Sequence, residues 1–149
     1  MAKVARAARN ASLMRVETIT ADKTLTSAET GEVYFINYNT AAALTITLPA
    51  MKAGAYFKFI WIADFTADGT VVFNSATNTA GDFGGSVFEQ VTGGSNANSA
   101  VQLCGSHDIL TISDDIDIGS YLEVFCDGST WYWTGHLSVS AVGLSVFSS

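Results

Sequence analysis

Apolar and polar positions alternate at period two through most of the chain after residue 13. In Leu44-Thr45-Ile46-Thr47-Leu48 every second place is apolar and the others are threonine, the pattern of a strand with one buried face. Residues 33–37, Val-Tyr-Phe-Ile-Asn, form a β-branched and aromatic run after the turn signal Glu29-Thr30-Gly31 and predict a second such strand. Pro49, the one proline, has no N–H to offer a continuing ladder and ends the strand before it. Residues 51–54 then turn the chain. Over 56–62, Phe57, Phe59 and Trp61 fall on one face and Tyr56, Lys58, Ile60 and Ile62 on the other. A strand apolar on both sides is central or covered.

Further along, Asp68-Gly69 predicts a tight hairpin before Thr70-Val71-Val72-Phe73. Residues 74–85 read as a long small-residue loop, 87–91 as a short strand, and 92–99 as a surface loop of Gly, Ser and Asn. Strands are predicted at 109–112, 120–126 and 130–134. Asp127-Gly128-Ser129 joins the last two and is the best hairpin signal in the chain. Residues 137–147 alternate apolar with serine almost without charge and predict an edge strand or extended tail that needs a partner. Nine or ten short strands, with no amphipathic helix in the body, point to an all-β fold: an antiparallel, jelly-roll-like β-sandwich over residues 19–149. Immunoglobulin-like and β-prism strand orders stay open.

Residues 1–18 follow a different pattern and predict a basic arm, extended or in a short helix. Ala and Arg favour helix, and Arg6 and Arg9 stand three apart on one helical face. A helix this short does not hold alone in water, so the arm should order only when docked. Residues 1–15 carry Lys3, Arg6, Arg9 and Arg15 with no acid, a charge of +4, whereas residues 16–149 hold 3 bases and 14 acids, a charge of −11. A basic arm on an acidic body suits an acidic protein surface. Nucleic acid is not expected as a partner, because the body repels phosphate and four cations bind it weakly.

Composition adds a reason to expect self-association. Charged residues are 14% of the chain against about 25% in an ordinary soluble domain, while 48% are hydrophobic. Faces so poor in charge are usually hidden in a neighbour. No run of about 18 apolar residues exists for a membrane-crossing helix. Nor does an apolar stretch of a secretory signal follow the basic start, so synthesis and retention in the cytoplasm are expected, without a membrane partner. Cys104 and Cys126 are then expected as buried free thiols.

Candidate chemistry is sparse. His107, Asp108 and His136 with abundant serine suggest a Ser-His-Asp assembly only by composition, since no Gly-x-Ser-x-Gly turn is present. Asp114, Asp115 and Asp117 crowd four positions but lack the glycine and bidentate glutamate of a calcium loop. They read as a solvated acidic turn. Glycines at 81–85 and 93–94 open no helix and so no phosphate site. No enzyme activity, metal or cofactor is expected. Among the aromatics, Trp61 alternates with Phe57 and Phe59 as core, and Trp131 and Trp133 share a face. Tyr132 points the other way and is the candidate for an exposed sugar contact.

Several of these segments together resemble a known pattern. The succession Thr45-Ile46-Thr47-Leu48-Pro49, Gly54-Ala55-Tyr56-Phe57-Lys58-Phe59-Ile60, Val71-Val72-Phe73 and Leu122-Glu123-Val124-Phe125-Cys126-Asp127-Gly128-Ser129-Thr130-Trp131-Tyr132 is similar to one in tailed-bacteriophage virion proteins. It recurs in capsid decoration (cement) proteins and in β-rich fibre modules, and here spans about residues 24–136. The resemblance implies a structural homotrimer on the capsid exterior, with the major capsid protein as partner and no catalytic residues. On this reading Lys3, Arg6, Arg9 and Arg15 are the capsid-binding arm. The alternative is a glycan-binding tail or fibre module for host attachment, with Tyr132 in contact with the sugar.

Overall fold

A computed structural model of the chain describes residues 14–65, 67–92, 99–139 and 145–149. Among these residues there are twelve strands: β1 (Val16–Ile19), β2 (Lys23–Thr24), β3 (Val33–Ile36), β4 (Ala43–Thr47), β5 (Tyr56–Trp61), β6 (Thr70–Asn74), β7 (Phe83–Val91), β8 (Ser99–His107), β9 (Ile109–Ser113), β10 (Tyr121–Cys126), β11 (Trp131–Val139) and β12 (Ser145–Ser148). They form a seven-stranded sheet, in the order β1-β3-β5-β10-β11-β7-β8, and a five-stranded sheet, β12-β9-β6-β4-β2. The fold is an all-β sandwich, as its period-two pattern predicts.

The sheets are mixed rather than wholly antiparallel. The first six strands alternate between the two layers, so β1, β3 and β5 stack in parallel in one sheet and β2, β4 and β6 in the other. This is a short coil, in which each chain crossing returns one strand further along. The later strands close it by antiparallel pairing of β10 with β5 and of β9 with β6. β5 and β6 therefore lie in different layers, and the hairpin expected at Asp68-Gly69 is a crossover. Gly69 is required there, because a Cβ on it would lie 2.1 Å from the carbonyl oxygen of Thr40. By contrast, Asp127-Gly128-Ser129 does join an antiparallel pair, β10 and β11. The Asp127 carboxylate accepts from the N–H groups of Ser129 and Thr130 at 2.8 and 2.9 Å, which fixes the turn.

The core lies between the sheets and is largely aromatic. Phe59 and Trp133 from the larger sheet meet Phe73 from the smaller, Phe57 lies against Trp131 beside them, and all five are at most 1% exposed. Phe59 and Phe73 lie edge-on at 4.8 Å between ring centroids, as do Phe73 and Trp133 at 5.1 Å. Such pairs add about 0.5–1.5 kcal/mol beyond the apolar area they bury. Cys126 is buried and Cys104 partly so, and both are free thiols, as expected.

Three segments depart from the expected layout. Val16–Ile19 pairs with β3, so the described chain enters the sandwich before residue 19. β7 begins at Phe83, within the segment read as a loop, and β8 occupies residues to which no strand was assigned. The alternating 137–147 segment divides: Leu137, Ser138 and Val139 extend β11, and Ser145–Ser148 is the edge of the smaller sheet.

Candidate interaction surface

Because side chains alternate along each strand, the aromatics that the larger sheet places in the core are matched by neighbours on its outer face. Register brings these neighbours into rows. Thr18, Phe35, Ile60, Tyr121, His136, Phe88 and Val101 are successive cross-strand partners, one from each of the seven strands. Phe88 stacks on the His136 imidazole at 5.5 Å, and the same ring nitrogen-bearing side chain holds Gln90 through Nε2 and Oε1 at 2.9 Å. The row carries no carboxylate, ammonium or guanidinium group.

A second row runs Val16, Val33, Lys58, Glu123, Thr134. Its two charges neutralise each other: Lys58 Nζ lies 2.7 Å from Glu123 Oε1 and 4.8 Å from the centroid of the Tyr121 ring. The hydrogen bond to Glu123 raises the Lys58 pKa, outweighing the opposing effect of burial. A third row is Tyr56, Phe125, Tyr132 and then Gly84. The Tyr132 ring lies against the bare backbone of Gly84, where a Cβ would come within 3.3 Å of it. Its hydroxyl donates to Asp127 Oδ2 at 3.2 Å. Tyr132 is thus held flat on the sheet with 43% of its surface open, beside Phe125 at 48%.

The residues singled out in the sequence fall as follows. Trp61, Trp131 and Trp133 are buried and Tyr132 is exposed, as the alternation predicts. Lys3, Arg6 and Arg9 lie outside the described residues. Arg15 is exposed beside β1, and its Nη1 meets Glu32 Oε1 at 3.3 Å. His107 meets the Ser149 hydroxyl at 3.3 Å and His136 belongs to the outer row, 5.5 Å from Phe88. Asp117 accepts from Ser138 Oγ at 2.6 Å and Thr92 Oγ1 at 3.0 Å, a tie between strand ends. Among the described residues the set of three acids with converging oxygens is Glu17, Glu29 and Glu32 instead. Cations of the chain already serve it: Lys23 Nζ stands 2.8 Å from Glu17 and 3.0 Å from Glu29, and Arg15 stands by Glu32. The hollow of about 320 Å³ beside it is lined by Glu17 to Lys23; there Glu17 and Lys23 are paired with each other and Asp22 accepts from the Thr45 N–H at 2.8 Å.

Sequence reasoning found Tyr132 but not the rows, since cross-strand neighbours are set by strand order. Compared with known proteins, the chain matches no family model, no curated protein and no solved structure.

Proposed function

We propose that this chain is a structural virion subunit of the capsid-decoration kind, without enzymatic activity, which binds the outside of a phage capsid and stabilises it. The observation that carries this reading is the outer face of the larger sheet. On it Val16, Tyr121, Phe125, Tyr132, Phe88 and Val101 are exposed; a soluble monomer seldom leaves so many large apolar side chains open on one charge-balanced face, whereas a cement subunit works by covering such a surface with its neighbour. The residues behind the virion resemblance fit a mechanical role: Ile46, Leu48, Phe57, Phe59, Val71, Phe73, Val124 and Trp131 are all buried core. Lys3, Arg6, Arg9 and Arg15 would fasten the subunit to an acidic shell. Each attached copy adds buried interface that must be broken before capsid proteins separate. The test is cosedimentation with purified capsids: the full chain should pellet with them in hundreds of copies, and removal of residues 1–15 should abolish pelleting. Undiminished pelleting after that deletion would remove the anchoring role of the arm.

A second reading, glycan binding by a tail or fibre module, is favoured by one observation. Tyr132 is held flat by Gly84 and Asp127 and flanked by Phe125, which suits stacking against a sugar ring. Glycan-array binding that Tyr132→Ala abolishes would establish it over cementing.

A further inference from the structure

We propose that β8 is a pairing edge for a second copy of this chain, the two strands running antiparallel about a two-fold axis at Gln102. β8 ends the larger sheet, with β7 on its inner side; its last residues are taken up by the chain end, where Ser149 Oγ donates to the Ser106 carbonyl at 3.2 Å, but along residues 99–105 alternate N–H and C=O groups point away from the sheet. Soluble proteins blunt such edges with short strands, lysine, proline or inward charges. The other edge of the same sheet does so: β1 has four residues, and its Glu17 is clamped by Lys23 at 2.8 Å. β8 has nine residues, and Ser99-Ala100-Val101-Gln102-Leu103-Cys104 contains neither charge nor proline. Its outward side chains include Leu103, 75% exposed and the most open large apolar side chain among the described residues, and Val101 at 55%.

Charge and fit select a second copy as the occupant. Residues 16–149 carry −11, so two bodies repel wherever their acids face each other, and the β8 edge with Phe88 beside it is a neutral strip through which they can approach. With Gln102 on the axis, Val101 of each copy lies directly opposite Leu103 of the other, so the two open side chains cover one another twice. Ala100 likewise meets Cys104, and no like charges are apposed. Seven paired residues span about 23 Å of strand at roughly 3.3 Å each. A single strand edge of that length covers a smaller area than the ~800 Å² per partner of a standard interface, so the pair is reversible and dissociates on dilution. This inference stands apart from the capsid reading, and its failure would leave that reading intact.

Sedimentation equilibrium of the full chain across the micromolar range tests it. A monomer–dimer equilibrium is expected, and Leu103→Lys should weaken it by about tenfold or more, since two cross-strand apolar pairs are lost, with the near-ultraviolet circular dichroism unchanged. Val16→Lys, on the opposite edge, should leave it as it is. A wild-type monomer at every concentration, a trimer, or a dimer indifferent to Leu103→Lys would each overturn the proposal. Should Leu103→Lys fail to fold, amide exchange of the wild type decides: exchange in β8 that slows as concentration rises supports pairing, and exchange independent of concentration overturns it.

Discussion

The two faces of the seven-stranded sheet are built from the same kinds of residue and differ in what opposes them. On β11, Trp131 and Trp133 are sealed under the smaller sheet while Tyr132 between them stands 43% exposed. On β5, Phe57 and Phe59 are fully buried, and Tyr56, Lys58 and Ile60 are partly open. The inner face is held by ring-on-ring contact with a second layer. The outer face is held by local devices: a glycine under a tyrosine, a lysine shared by a carboxylate and a ring, a histidine stacked on a phenylalanine. Aromatic content alone therefore says little about stability. What matters is whether a second layer lies across the rings.

The largest break in that comparison should come from the inner face. Trp133→Ala removes a ring that touches Phe59, Phe73 and Phe83 at 6.3, 5.1 and 5.4 Å between centroids. The loss should be about 3–5 kcal/mol, a large part of the stability of an ordinary domain, and urea unfolding should show the midpoint collapse. Tyr132→Ala, one residue away, should shift the same midpoint far less.

A middle-sized effect is expected where a buried charge ties a loop. Asp82 is only 6% exposed at the start of β7. Burial pushes its pKa up, but the hydroxyls of Ser75 and Thr77 and the N–H of Thr79 together outweigh that and hold it below the usual carboxylate range. A carboxylate depressed on folding lends stability above its unfolded pKa of about 3.9, and that contribution is lost as pH falls through the folded value. Asp82→Asn should cost about 1–3 kcal/mol at neutral pH. The gap between wild type and variant, measured as urea midpoints from neutral to acid pH, should close as the solution is acidified. A gap constant with pH would mean that the carboxylate charge contributes nothing.

How much of this was legible beforehand follows from what alternation can encode. Period two placed Phe57, Phe59 and Trp61 inside and Tyr132 outside, and Asp127-Gly128 gave the β10–β11 hairpin, because both are local properties. Asp68-Gly69 carries the same signal, yet Gly69 is there to pass close to Thr40, and the strands around it belong to different layers. β8 carries little strand signal of its own, since Ala and Gly among its nine residues are depleted in strands; it is held by pairing along Phe83–Val91, not by propensity. The rows on the outer face depend on a strand order that joins residue 18 to residue 101 across seven strands, and no window of sequence contains that information. The coil of the first six strands was hidden for the same reason.

The smallest expected effect lies at the centre of the outer face and separates charge from contact there. Lys58 and Glu123 are each roughly one-third exposed or less, at 28% and 30% of their side chains, so water screens the pair and either partner can be rehydrated when the other is removed. Lys58→Met should therefore change stability by only about 0–1 kcal/mol, and by less at high salt. The sign with pH is opposite to that of Asp82. A lysine raised on folding contributes fully below its unfolded pKa of about 10.4 and loses that contribution as pH climbs through the higher folded value. The difference in urea midpoint between wild type and Lys58→Met should thus be present at neutral pH and vanish in strong alkali. If the variant instead lost several kcal/mol, the outer face would be a second core in the isolated chain, and the contrast between the two faces would fail.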